Sequence, residues 1–145
     1  MSGPRVFTVE EVNAMIPTLS ALVEQQMARH AEIADRMSEL ISMTGENPPT
    51  LVDRPREGPD VIALKAELRG MVQQYADAWN HVQELGGVVK DPQAGTVDFY
   101  ANLDGKTVWL CWRYGEQSVS HYHELDAGYA GRRPLRSEVL ERTLN

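Results

Sequence analysis

A chain of 145 residues is long enough to bury a hydrophobic core within one domain. Its 14 basic against 21 acidic residues give a formal net charge of −7, which excludes bulk binding to a phosphate backbone, and one cysteine excludes an internal disulfide. Residues 1–7 lack a signal peptide's apolar core and no apolar run approaches the roughly 20 residues that span a bilayer, so the expectation is a cytoplasmic protein without nucleic-acid or membrane partners.

Thr8-Val9-Glu10-Glu11 has the form of a capping box, with Phe7 placed to act as a hydrophobic staple. A first helix follows over residues 8–43. Its seam runs through Val12, Ile16, Leu19, Val23, Gln26, His30, Ile33, Met37 and Leu40 in steps of four and three. Pro17 interrupts that seam and can kink the first turns. Gln26 and His30 are its polar members, suited to setting register or to a dimer seam; an extra metal ligand from His30 is disfavoured, because antiparallel packing brings it nearer Tyr75 than His81.

Residues 44–58 are rich in proline and charge and read as a flexible connector. A second helix spans residues 59–86, with a seam at Val61, Leu64, Leu68, Met71, Tyr75, Ala78, Val82 and Leu85 and a stop at Gly86-Gly87. Two successive amphipathic helices imply an antiparallel hairpin. The period then changes to two. Residues 88–125 are expected to form a small antiparallel sheet of about three strands, with a turn at Asn102-Leu103-Asp104-Gly105 and the last strand over residues 118–123. Residues 126–145 form a glycine- and arginine-containing loop and a short helix or tail. The expected class is α+β, in a single domain.

The chemistry concentrates near the end of the sheet. Leu110-Cys111-Trp112-Arg113-Tyr114-Gly115-Glu116 and His123-Glu124-Leu125 resemble a bacterial family catalogued as domain of unknown function 2203. The resemblance extends to Phe7-Thr8-Val9-Glu10-Glu11-Val12-Asn13-Ala14, Lys90-Asp91, Gly95-Thr96-Val97-Asp98-Phe99 and Gly128-Tyr129-Ala130-Gly131-Arg132, and so covers nearly the whole chain. It implies the α+β architecture and the site's position, with Cys111, Glu116 and His123 as matched positions. His121-Tyr122 departs from the family's aromatic pair.

Thiolate, imidazole and carboxylate side chains bind zinc or non-haem iron, which makes Cys111, Glu116, His121 and His123 the candidate ligands. Hairpin parity decides whether they meet. A three-residue loop pairs Cys111 with Val119 and puts both histidines on the cysteine's face; a two-residue loop pairs it with Ser118 and sends them to the other. The bland alternative makes Cys111 a buried hydrophobe and Glu116 a turn cap. Asp98 can orient a histidine, although strand alternation favours a solvent-facing residue. Trp112, Arg113, Glu124 and Arg132 are further candidates for lining the site.

Three functions follow as expectations: a metal site holding zinc, or iron; a helical hairpin that forms a homodimer or takes a protein partner without metal; and an anion site using Arg132 and Arg133. Neither a nucleotide fingerprint nor a hydrolase motif is present.

Overall fold

The structure, a computed structural model, describes residues 5–136. The expected tail over residues 137–145 lies outside them. Two helices come first, α1 (Val9–Thr44) and α2 (Pro59–Glu84), then five strands: β1 (Val88–Asp91), β2 (Thr96–Leu103), β3 (Lys106–Arg113), β4 (His121–Glu124) and β5 (Arg133–Pro134). No helix among the described residues is long and apolar enough to cross a membrane.

The α+β class holds, but the sheet has five strands where about three were expected. The two additional strands are at its edges. β1 is short and its register shifts between Val89 and Asp91, and β5 consists of Arg133 and Pro134 paired with Tyr122 and His121. Neither carries enough alternation to be recognised from its own sequence. The order is β1-β2-β3-β4-β5, an antiparallel meander in which each strand pairs with its predecessor.

The chain divides into two compact units. One is Gln25–Asn80, a helical hairpin whose apolar seams meet: Leu40, Leu64 and Leu68 are buried, with Ile33, Met37, Val61 and Met71 packed against them. Gln26 is buried and its Nε2 donates to the Tyr75 carbonyl at 2.7 Å, so this polar seam residue fixes helix register. His30 is exposed, with its ring centroid 6.2 Å from that of Tyr75. The connector makes defined contacts within this unit. Buried Lys65 donates to the Val52 carbonyl at 3.0 Å and to Glu57 at 2.6 Å, and Arg69 donates to the Leu51 carbonyl.

The other unit comprises the residues up to Glu24 and those from His81 onward. Thr8 and Glu11 form the reciprocal capping box, with bonds of 3.1 and 2.9 Å. The helix continues through Pro17, which removes the backbone bond to the Asn13 carbonyl without ending α1. Asn13 Oδ1 accepts from the Val119 amide at 2.7 Å. The core contains Phe7, Val12, Ile16, Leu19 and Val23 together with Val97, Phe99, Leu110 and Trp112 from alternate positions of β2 and β3. Phe7 meets Phe99 edge to face at 5.3 Å. The other face of the sheet, freed from the core by the same alternation, carries the site.

Candidate functional site

The β2–β3 turn sets the site's geometry. Asp104 and Gly105 both have positive φ, 54° and 77°, as a type I′ hairpin requires. Counting outward from that tight turn, Leu103 faces Lys106 and Asp98 faces Cys111. β4 then pairs Cys111 with His121 and Trp109 with His123. Neither loop length considered from the sequence is the observed one, because the chain from 114 to 120 makes a longer excursion. The parity is that of the three-residue case, so Cys111, His121 and His123 share a face.

Of the four expected ligands, the fold brings Cys111 and His123 together and adds Asp98. A carboxylate oxygen of Asp98, Cys111 Sγ and a ring nitrogen of His123 all lie within 4.8 Å of one another, and all three residues are buried. The solvent-facing assignment of Asp98 is therefore corrected: the residue is 1% exposed. Alternation tells which strand positions share a face but not whether a later segment covers it. Here Ala127, Gly128 and Tyr129, after β4, help line the cleft that Asp98 and His123 also border.

His123 is held at both nitrogens. Nδ1 lies 2.9 Å from the Glu124 carbonyl oxygen, which can only accept, so Nδ1 carries a proton. Nε2 lies 2.8 Å from Asp98 Oδ2, a contact that requires one further proton between them. Burial is the main cause that raises the Asp98 pKa above the ordinary carboxylate value, with the neighbouring His123 charge opposing it. Asp98 Oδ1 is buried with no donor in hydrogen-bond geometry. Burial, reinforced by Asp98, pushes the Cys111 thiol up to about 12. Arg132 Nη1 approaches the sulfur at 3.9 Å and opposes that rise.

Glu116 and His121 fall outside this cluster. Glu116 takes two bonds from Arg132, at 3.3 and 3.1 Å, and accepts from the Arg113 amide at 2.8 Å, so it caps the turn and anchors the arginine. His121 Nδ1 is 2.9 Å from Ser120 Oγ and 4.0 Å from Glu116. Trp112 belongs to the opposite face: it is fully buried in the core and donates to the Glu116 carbonyl at 2.9 Å. Glu124 contributes its backbone carbonyl, while its side chain pairs with Lys106 at 2.7 Å. The Arg132 guanidinium is engaged by Glu116 and stacked 4.2 Å from the Tyr129 ring centroid, and Arg133 is exposed on β5.

A cleft of about 490 Å³ opens beside the cluster, within the size range of small-molecule sites. Asp98 and His123 border it, with Lys90, Thr96, Arg113 and Tyr129 among the other residues. Lys90, which the sequence reading did not single out as a site residue, stands at the β1 irregularity with Nζ 4.0 Å from the Trp109 ring centroid.

Comparison with known proteins returned no matching curated protein and no matching solved structure. A family model does match, over residues 5–135, which take in both helices and every strand of the sheet. The chain belongs to the family described as "Uncharacterized conserved protein (DUF2203)".

Proposed function

We propose that the protein binds a transition-metal ion, zinc in preference to iron, through Asp98, Cys111 Sγ and His123 Nε2. The observation that carries this reading is the buried cluster itself: an Asp98 carboxylate oxygen, Cys111 Sγ and a His123 ring nitrogen lie within 4.8 Å of one another, with Asp98 Oδ1 unpartnered and His123 Nδ1 committed to the Glu124 carbonyl. A metal-ligating histidine characteristically donates its remaining N–H to a carbonyl, which fixes the tautomer and points the lone pair at the metal. A thiolate, an imidazole and a carboxylate make a donor set suited to Zn²⁺.

Charge supports the same reading. A buried carboxylate is costly unless it is paired or bound to a cation, and the raised Asp98 pKa reflects incomplete compensation by the protein. Zinc–ligand bonds of about 2.0–2.3 Å place neighbouring donors about 3.3–3.8 Å apart. Asp98 Oδ2 and His123 Nε2, now 2.8 Å apart across a proton, must separate slightly to admit the ion. Three protein donors would leave a coordination position for water or a ligand, the arrangement of reactive rather than purely structural sites.

The test is elemental analysis of untagged protein purified without chelators or added metal, with folding checked by circular dichroism. The expected content is about one equivalent of zinc or iron, falling at least about tenfold in Asp98→Asn, Cys111→Ser and His123→Ala. Glu116→Gln and His121→Ala are expected to retain it. A folded, metal-free wild type that also fails to take up added zinc would overturn the reading.

A further inference from the structure

In the unit that contains the sheet, Arg5, Lys106 and Arg132 are matched to carboxylates. Arg132 is held by Glu116 and Lys106 by Glu124. Lys90 and Arg113 are different: both border the cleft, and neither forms an ion pair among the described residues. Each lies against an aromatic ring instead. Lys90 Nζ is 4.0 Å from the Trp109 ring centroid; the Arg113 guanidinium is 5.5 Å from that of Tyr129, with Nη1 3.3 Å from the Tyr129 hydroxyl. A ring orients a cation without neutralising it, so the charge stays available to a ligand.

The carboxylates at the cleft do not cancel this pair. Asp98 is engaged by His123, Oδ2 to Nε2 at 2.8 Å. Asp91 Oδ1 accepts from the Gln93 and Ala94 amides and so belongs to its own turn. Lys90 and Arg113 are therefore cations at the cleft that no carboxylate of the described residues pairs with, in a chain whose net charge is −7.

We propose that this cleft binds a small organic molecule by its carboxylate or phosphate group, with Arg113 and Lys90 holding the oxyanion and the rest of the ligand directed toward His123 and Asp98. The guanidinium fork can engage two oxygens at once, and the lysine ammonium adds a point charge. Arg132, named as the anion partner from the sequence, is occupied by Glu116. The proposal goes beyond the metal reading and needs no bound ion.

The experiment uses the ¹⁵N-labelled full chain, stripped of metal and freed of chelator, followed by amide chemical shifts. It is titrated separately with inorganic phosphate, with succinate, and with succinamide as the uncharged control. At least one anion is expected to give saturable shifts around residues 90–96, 113 and 127–129, and succinamide none. Arg113→Gln and Lys90→Gln are each expected to weaken binding about tenfold. Both should keep the wild-type metal content, which separates this outcome from that of the metal reading. No saturable shift with either anion to about 50 mM, well above a millimolar dissociation constant, would overturn the proposal. Shifts that both substitutions leave unchanged would do the same.

Discussion

Burial and hydrogen bonding pull Asp98 in opposite directions, and burial dominates its pKa. In the unfolded chain the carboxyl ionises near its ordinary value of about 3.9; in the fold it ionises at a higher pH. Its contribution to stability is therefore intact below about 3.9, declines as pH rises through the folded value, and stays reduced above it. Asparagine at this position does not ionise, and its amide can donate to His123 Nε2. In metal-free protein, Asp98→Asn is expected to gain stability relative to wild type as pH rises from about 4 to about 8, read from urea midpoints. A pH-independent difference would count against burial as the cause. Cys111, with its pKa pushed up to about 12, is a neutral thiol at physiological pH in the absence of metal. Its alkylation by iodoacetamide near pH 8 should run on the order of a thousandfold slower in the folded metal-free protein than in urea, by mass spectrometry. Rapid labelling of the native state would show that the thiol is accessible and ionised. The meeting of Asp98 with Cys111 was in fact legible, since counting outward from Asp104-Gly105 places one opposite the other. The burial of the pair was not, because residues far along the chain help cover it.

Elements with local causes could be read from the sequence. The capping box at Thr8 and Glu11, the two helical seams and the Asp-Gly hairpin each depend on residues a few positions apart. β1 and β5 depend on partners elsewhere, and β5 even contains a proline, which is tolerated at a sheet edge. Glycine shows the same contrast between local and distant causes. Gly105 and Gly86 both have positive φ, but a Cβ at Gly105 would meet nothing within 4 Å, whereas one at Gly86 would run into the Phe7 ring. Gly105→Ala should therefore cost about 1 kcal/mol, from backbone conformation alone. Gly86→Ala adds overpacking and should cost about 2–4 kcal/mol, by urea denaturation. Equal losses at the two positions would mean that the Phe7 contact contributes nothing.

At the scale of the whole molecule, the helical hairpin fastens its irregular segment with a charged side chain. In the helical hairpin Lys65, 1% exposed, ties down the connector through Val52 and Glu57. Lys65→Met keeps the buried stem and removes the ammonium, so amide exchange over residues 51–57 should quicken at least about tenfold while the helix cores stay protected. Unchanged exchange there would assign the connector's order to other contacts. The composition of residues 44–58 hid this tether, because its decisive partner lies in the following helix. In the sheet unit, the meander order has a consequence for the time course of folding. Asp98 and Cys111 are joined by a tight hairpin, while His123 arrives only with the next strand. β4 brings the imidazole partner, and the residues that line the cleft beside it, 127–129, follow later in the chain. Strand addition in chain order would therefore spare the growing sheet an intermediate with a stranded buried charge.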